Sequence, residues 1–121
     1  MSTFGEMLKV RRKELRLGLR EFALRADMDP GNLSKIERGK LGAPQGEDVL
    51  NRICLALEFE LGSEEAQALR DKALVEAGRI PAEVMEDEEV LKRLPVLLRT
   101  VKNKKLDSEQ LDRLIEMIKE A

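Results

Sequence analysis

The stretch "DMDPGNLSKIERGK", Asp27–Lys40, decides the fold, because it holds the start and stop signals of a short helix. Asp29 is a strong N-cap residue whose carboxylate can accept hydrogen bonds from first-turn amides. Pro30 follows at the first helical position, where its missing N–H costs nothing and its fixed φ suits the helix. Gly39 fits a left-handed terminator. The stretch therefore predicts a helix from Pro30 to Arg38.

This predicted helix has one apolar face and one polar face. At about 100° per residue, Leu33 and Ile36 point in one direction, which predicts the buried face. The opposite face is small near the start of the helix and basic near its end: it carries Gly31, Ser34, Lys35 and Arg38, with Asn32 and Glu37 at the two edges. None of these outward side chains is bulky. The helix could therefore sit close against another surface.

The bulk composition fits one domain, or a small domain with an extension. The chain has 121 residues, of which 42% are hydrophobic and 38% charged, so it can form a core. No run approaches the roughly 18 apolar residues of a membrane-spanning helix. The start "MSTFGEMLKV" lacks the apolar stretch of a signal peptide. Cys54 is the single cysteine and lies on an apolar face, which predicts a core thiol in a reducing cytoplasm.

Missing residue types argue against catalysis. The chain has no histidine, so the commonest general base and metal ligand is absent. One cysteine cannot build a zinc cluster. We therefore expect no enzyme activity, no metal site and no cofactor.

The small net charge of −2 hides a strong segregation along the chain. Residues 1–40 hold 10 Lys/Arg against 6 Asp/Glu, residues 41–89 hold 4 against 13, and residues 90–121 hold 8 against 5. A basic end on an acidic body can be the footprint of a polyanion-binding protein. Solvated charges scattered by chance would give the same counts, so charge alone leaves both interpretations open.

Helical apolar spacing runs through almost the whole chain, and no segment alternates like a strand, which predicts an all-α fold. In the first part we expect five helices. The first begins at the capping box "TFGE" with Thr3 as its cap, the second is "LREFALRA", and the third is the Pro30 helix. The fourth covers about Glu47–Leu57, and the fifth is capped by Ser63, runs through Glu76 and is ended by Gly78. "GRIPAEVMEDEE" indicates a connection or a short helical turn.

The C-terminal segment predicts two further amphipathic helices. Pro95 must kink the first of them or begin a new helix. Asp107, with Gln110 three residues on, marks another capping box before the last one. The apolar stripe of the last helix consists of Leu111, Leu114, Ile115 and Ile118. These side chains could pack on their own domain or against a second chain.

The segment "LGLREFALRADMDPGNLSKIERGK" resembles the helix-turn-helix of the lambda-repressor-like, or XRE-type, transcription regulators. The likeness runs through Phe22-Ala23, the turn, and then Leu33, Ser34, Ile36 and "ERG" at 37–39, and it covers about residues 4–60. Arg12 stands where that family has a first-helix arginine. In the family this arginine typically pairs with the glutamate of "ERG", which is Glu37 here.

The resemblance implies sequence-specific binding of double-stranded DNA, with the third helix in the major groove. Carried over by position, the base-reading places are Pro30, Gly31, Ser34 and Lys35, with Asn32 close by. Leu19 and Arg20, at the start of the second helix, would face phosphate, and Arg38 would add a basic contact. Pro30 and Gly31 cannot donate side-chain hydrogen bonds to bases. Direct readout therefore rests on Asn32, Ser34 and Lys35, and DNA shape can carry further specificity.

The resulting expectation is a lambda-repressor-like domain of about five helices over residues 1–80, with a helical extension over residues 81–121. We expect a transcription regulator, a repressor that binds a palindromic operator as a homodimer. The dimer interface would lie in the extension or on the fifth helix, because two half-sites about one turn apart require two reading helices.

Two other functions stay open at this stage. The chain could be an antitoxin-like protein, whose acidic body and C-terminal helices neutralise a regulatory protein partner while DNA binding serves autoregulation. It could also be an interaction module that has lost operator binding, given the residues at Pro30 and Gly31. Without its context, the charge of Lys35 and Arg38 would indicate only a solvated helix face.

Overall fold

The computed structural model describes residues 3–80 and 82–121, and it confirms the predicted all-α fold. Eight helices and no strand lie within these residues. In chain order the helices are α1 (Phe4–Glu14), α2 (Leu19–Arg25), α3 (Pro30–Glu37), α4 (Glu47–Ala56), α5 (Glu64–Glu76), α6 (Ala82–Met85), α7 (Glu88–Lys104) and α8 (Ser108–Glu120). Over the same residues, no helix is both long enough and apolar enough to cross a membrane.

The chain divides into two compact units, residues 1–81 and 82–121. The first unit contains α1 to α5, and the second contains α6 to α8. In the first unit, α3 packs against both α1 and α2, while α5 packs against α1 and α4, and α4 against α2. The helix that carries the candidate site is therefore held by two neighbours.

One apolar core joins the five helices of the first unit. Its largest fully buried side chains are Phe4, Phe22, Leu8, Leu33, Ile53, Leu57, Leu69 and Cys54. The predicted core positions of Leu33 and Cys54 are thus confirmed. Val10 of α1 is 60% exposed, because it lies about 200° around the helix from Leu8. Ala77 is also exposed, because it is the C-cap of α5.

The helices of the first unit all end in the same backbone motif. In each, one residue after the cap has a left-handed backbone: Arg16, Asp27, Gly39, Glu58 and Gly78, with φ of 57°, 53°, 76°, 61° and 69°. The next N–H then donates to the carbonyl five residues back, as from Met28 to Ala23 at 2.8 Å. This is the Schellman motif, which satisfies carbonyls at the helix end. The predicted terminators Gly39 and Gly78 are confirmed.

The predicted helix starts are confirmed as well. Thr3 Oγ1 accepts the Glu6 N–H at 3.1 Å, and Glu6 returns a carboxylate oxygen to the Thr3 N–H at 3.3 Å. Asp107 and Gln110 form the same reciprocal pair at 2.8 and 3.0 Å. Three predicted helix ends are one residue too long, because Ala26, Arg38 and Leu57 are the C-caps of α2, α3 and α4.

In the second unit, α7 and α8 are amphipathic and have no buried side chain. The short α6 matches the predicted helical turn. No new helix begins at Pro95, which lies inside α7 and leaves the in-helix bond to the Leu91 carbonyl unmade. Among residues 83–121, every side chain is exposed or half-buried.

Candidate nucleic-acid interface

The α3 helix presents its polar face to solvent because its apolar face is anchored in the core. Leu33 is fully buried and Ile36 is 4% exposed. On the opposite side, Gly31, Asn32, Lys35 and Arg38 are exposed, while Pro30 and Ser34 are half-buried. The structure therefore gathers six of the eight sequence-predicted site residues on one outward helix face.

The start of α3 is fixed by Asp29. Its Oδ2 accepts the backbone N–H of Asn32 at 2.9 Å, which confirms the predicted cap. A side chain at Gly31 would place its Cβ 3.0 Å from the same oxygen. Glycine therefore keeps the cap undisturbed, and it also leaves the first turn of α3 open to a close approach.

The turn between α2 and α3 is held by a long-range hydrogen bond that could not be predicted from the sequence. Asp27 takes the left-handed conformation at the C-terminal end of α2. Arg52, on α4, donates its Nε–H to the Ala26 carbonyl at 2.9 Å. The carbonyl groups at the C-terminal end of a helix have no donor within the helix, and the Arg52 side chain supplies one for Ala26. Arg52 is thus a positioning residue for the turn. Only the fold brings it there, since 26 residues separate the two partners.

The far end of α3 is held by the predicted ion pair. Arg12 donates from Nε and Nη2 to the two carboxylate oxygens of Glu37, at 2.7 and 2.8 Å, and from Nη1 to the Leu17 carbonyl at 2.8 Å. The side chains of Arg12 and Glu37 are 10% and 5% exposed. The hydrogen bond to Glu37 raises the pKa of Arg12 above its ordinary value, although burial acts in the opposite direction. The pair is structural, because it is buried beneath the outward face.

A close contact between α1 and α3 depends on Gly5. A Cβ at this position would lie 2.0 Å from the Ile36 carbonyl oxygen. No other residue type can occupy the site without moving one of the two helices. Gly5 had been interpreted only as part of a capping box, because a close approach between helices leaves no local signal in the sequence.

The start of α2 gives its two predicted site residues different surroundings. Leu19 is half-buried and packs against the core, so only its backbone is available to an outside ligand. The Arg20 side chain is exposed. Gly18 is the N-cap and provides no side-chain acceptor, so the first-turn amides of α2 lack the cap that Asp29 gives α3.

The two basic side chains of α3 also differ. Arg38 donates its Nε–H to the Ser34 carbonyl at 3.3 Å, which lays the side chain along its own helix. Lys35 is exposed one turn from the N-terminal end. The charge on this face is therefore carried by one side chain that is hydrogen-bonded to its own helix and by one exposed side chain.

Outside α2 and α3, the first unit holds a buried thiol and a surface groove. No group of three His, Cys, Asp or Glu side chains that could hold a metal occurs in the described ranges 3–80 and 82–121. Burial raises the pKa of the Cys54 thiol, and Arg70 only partly opposes this, so the thiol is held in its neutral form. A groove of about 450 Å³ lies beside α1 and α5, lined by Met7, Val10, Arg11, Glu14, Leu57, Phe59, Glu65, Ala68 and Leu69.

Known proteins add no further guide to this site. Comparison of the chain with protein-family models, with curated proteins and with solved structures finds no match. What can be said of function therefore rests on the geometry of the α2–turn–α3 segment and on the charges around it.

Proposed function

We propose that this protein is a cytoplasmic, sequence-specific DNA-binding transcription regulator. It acts as a repressor that binds a palindromic operator as a homodimer, with α3 in the major groove. One observation carries the proposal: α3 is anchored by Leu33 and Ile36 and exposes a face that is small at its start and basic at its end. Such a face can enter a groove about 12 Å wide without steric conflict.

Base readout would depend on few side chains. Asn32 suits a bidentate contact with adenine, Lys35 suits guanine, and Ser34 can contact either kind of base. Pro30 and Gly31 contribute close approach, because neither projects a long side chain. Because few side chains can contact bases, part of the specificity would come from how easily the operator DNA deforms to fit the protein.

Affinity would depend strongly on electrostatics. Residues 1–40 hold 10 Lys/Arg against 6 Asp/Glu, whereas residues 41–89 hold 4 against 13. The basic end would face phosphates, with Arg20 and Arg38 as contacts and the uncapped amides at Leu19 as further donors. The acidic part would keep the rest of the protein away from DNA. Binding should therefore weaken steeply as salt rises.

The test begins with selection of bound sequences from a random DNA pool by the full chain. We expect an enriched palindrome. A fluorescence titration on that sequence should then show that Lys35→Ala with Arg38→Ala loses roughly tenfold or more in affinity, because each side chain contributes on the order of 1 kcal/mol. The same double variant should also have a shallower dependence on salt.

The matched control is Lys72→Ala with Arg79→Ala, which removes two positive charges from α5 and from the segment after it, within the acidic part of the chain. It should leave affinity nearly unchanged. If no sequence is enriched, or if both double variants bind as the unmodified chain does, the proposal that α3 reads DNA is wrong.

A further inference from the structure

Helices α7 and α8 each carry an apolar stripe in which no side chain is fully buried. The α7 stripe consists of Val90, Leu91, Leu94, Leu97, Leu98 and Val101, which lie within about 120° of one another on the helix. The α8 stripe consists of Leu111, Leu114, Ile115 and Ile118, within about 100°. The exposed members of the two stripes retain between 42% and 67% of their accessible surface. Apolar stripes of this width normally face a core.

The second unit is too small to provide that core. It has 40 residues, 82–121, and units of roughly 40 residues or fewer usually need a disulfide, a metal or a partner chain to be stable. The only cysteine, Cys54, lies outside this unit. No metal-binding group of His, Cys, Asp or Glu occurs in the described part of the chain. Covering the stripes therefore requires a surface from outside this unit.

The charges of the two helices indicate which partner fits. Helix α7 holds five Lys/Arg against two Asp/Glu, whereas α8 holds two against four. The surface formed by these helices is basic on one half and acidic on the other. A partner of uniform charge would be attracted by one half and repelled by the other. The surface is self-complementary under a two-fold rotation, because each α7 then lies against an α8 of the other copy.

The connection between the helices completes the arrangement. Only Lys105–Asp107 separates α7 from α8, and helices joined by so short a loop are commonly antiparallel neighbours in bundles. In the single chain α7 packs against α6 and not side by side with α8. The antiparallel pairing of α7 and α8 is therefore part of the proposed association. Two such hairpins, with α7 and α8 alternating around a common axis, form an up-and-down four-helix bundle. Every helix is then antiparallel to both neighbours and opposite to them in charge.

We propose that the second unit is a homodimerisation module in which the α7–α8 hairpins of two copies form a four-helix bundle with alternating helices. This inference supplies the dimer that the proposed operator binding requires, and its link to transcription rests on that function. The partner that covers the two apolar stripes is a second copy of this chain.

Sedimentation of the full chain without DNA tests the proposal directly. A dimer is expected at micromolar concentration. Leu98→Asp and Ile118→Asp place a charge in each stripe and should weaken association about a hundredfold or more, because the carboxylate would be buried at two symmetric positions. A monomer, a larger oligomer, or a dimer that survives both substitutions would overturn the proposal.

A charge exchange tests the alternating arrangement, and it does not rely on variants that could unfold the hairpin. Lys102 borders the α7 stripe three residues before Lys105, and Asp112 lies beside the α8 stripe five residues after Asp107, so the two positions are within about one helical turn of each other in an antiparallel pair. Lys102→Glu and Asp112→Lys should each weaken the dimer roughly threefold to tenfold, and the two together should restore it. Glu120→Lys, on the outer face of α8, is the matched control and should have little effect. Without restoration in the double variant, the alternating bundle is wrong.

The DNA-binding variant separates this inference from the proposed function. Lys35→Ala with Arg38→Ala should dimerise like the unmodified chain, because both positions lie in the first unit. If the unmodified chain forms the dimer but binds no DNA, only the proposed function is wrong. If the unmodified chain selects a DNA sequence but is a monomer, only the proposed dimer is wrong. A tight complex with an unrelated protein in place of the dimer would also overturn this inference.

Discussion

At the scale of the residue, the most constrained interaction is the one between Arg12 and Glu37. Two parallel N–H···O bonds and a third bond to the Leu17 carbonyl satisfy the guanidinium inside the first unit. A buried ion pair adds little net stability compared with apolar residues, but loss of one partner leaves an uncompensated charge. The pair therefore fixes where the C-terminal end of α3 lies.

We expect Arg12→Met to lower the free energy of unfolding by about 3 kcal/mol or more, because Glu37 would stay buried without a partner. Adding Glu37→Met should recover much of this loss. Urea denaturation of the two single variants and the double variant measures the coupling. Losses that simply add would show that the two side chains do not act as a pair.

Residues in the left-handed conformation offer a second test at this scale. Glu58 ends α4 with φ of 61°, a conformation that non-glycine residues adopt at an energetic penalty. Glu58→Gly should therefore raise the free energy of unfolding by about 1 kcal/mol. Thermal unfolding followed by circular dichroism measures the change. Glu58→Ala is the matched control, and a similar gain there would mean that charge removal, and not backbone strain, is responsible.

At the scale of the element, α3 is held by its own cap and by side chains from two other helices. Asp29 caps its start, Arg52 of α4 binds the preceding turn at Ala26, and Glu37 near its end is bound by Arg12 of α1. The remaining contact is steric, where Gly5 of α1 lies against the Ile36 carbonyl. Together these contacts keep the exposed face of α3 in one orientation, which a base-reading helix requires.

The steric contact predicts a large effect from a small change. Gly5→Ala would place a Cβ 2.0 Å from the Ile36 carbonyl oxygen, so α1 and α3 must separate. We expect a loss of about 2 to 3 kcal/mol in the free energy of unfolding, despite the better helix propensity of alanine. Gly42→Ala is the control, because a Cβ there meets nothing within 4 Å. Equal stability of the two variants in urea would contradict the contact.

At the scale of the whole molecule, the two units differ in how they bury apolar surface. The first has a closed core reaching from Phe4 to Ala73, whereas residues 83–121 have no buried side chain. The first unit should therefore be stable without the second. Stability of the second should depend on protein concentration, if its stripes are covered by another copy.

We expect a fragment of residues 1–80 to unfold cooperatively, with a midpoint within a few degrees of the main transition of the full chain. The reason is that its core needs no side chain from residues 83–121. Calorimetry at several protein concentrations provides the measurement. The midpoint of the fragment should not change with concentration. A fragment that is unfolded, or that melts far below the full chain, would show that the first unit needs the second.

Much of the helical organisation could be predicted from the sequence, because its signals are local. The capping boxes at Thr3 and Asp107 and the terminators Gly39 and Gly78 each act within a few residues. The amphipathic pattern likewise placed Leu33 and Ile36 in the core. Arg16 and Glu58 gave no such signal, since their left-handed backbone is imposed against the preference of the residue.

For the candidate site, the sequence by itself determined which residues α3 would expose, because helical geometry alone separates Asn32 and Lys35 from the buried anchors. Only the tertiary structure decided what holds that face in place. The Arg52 bond to Ala26 and the Gly5 contact with Ile36 join positions 26 and 31 residues apart. Contacts over such distances form only when the whole core closes, so no local pattern encodes them.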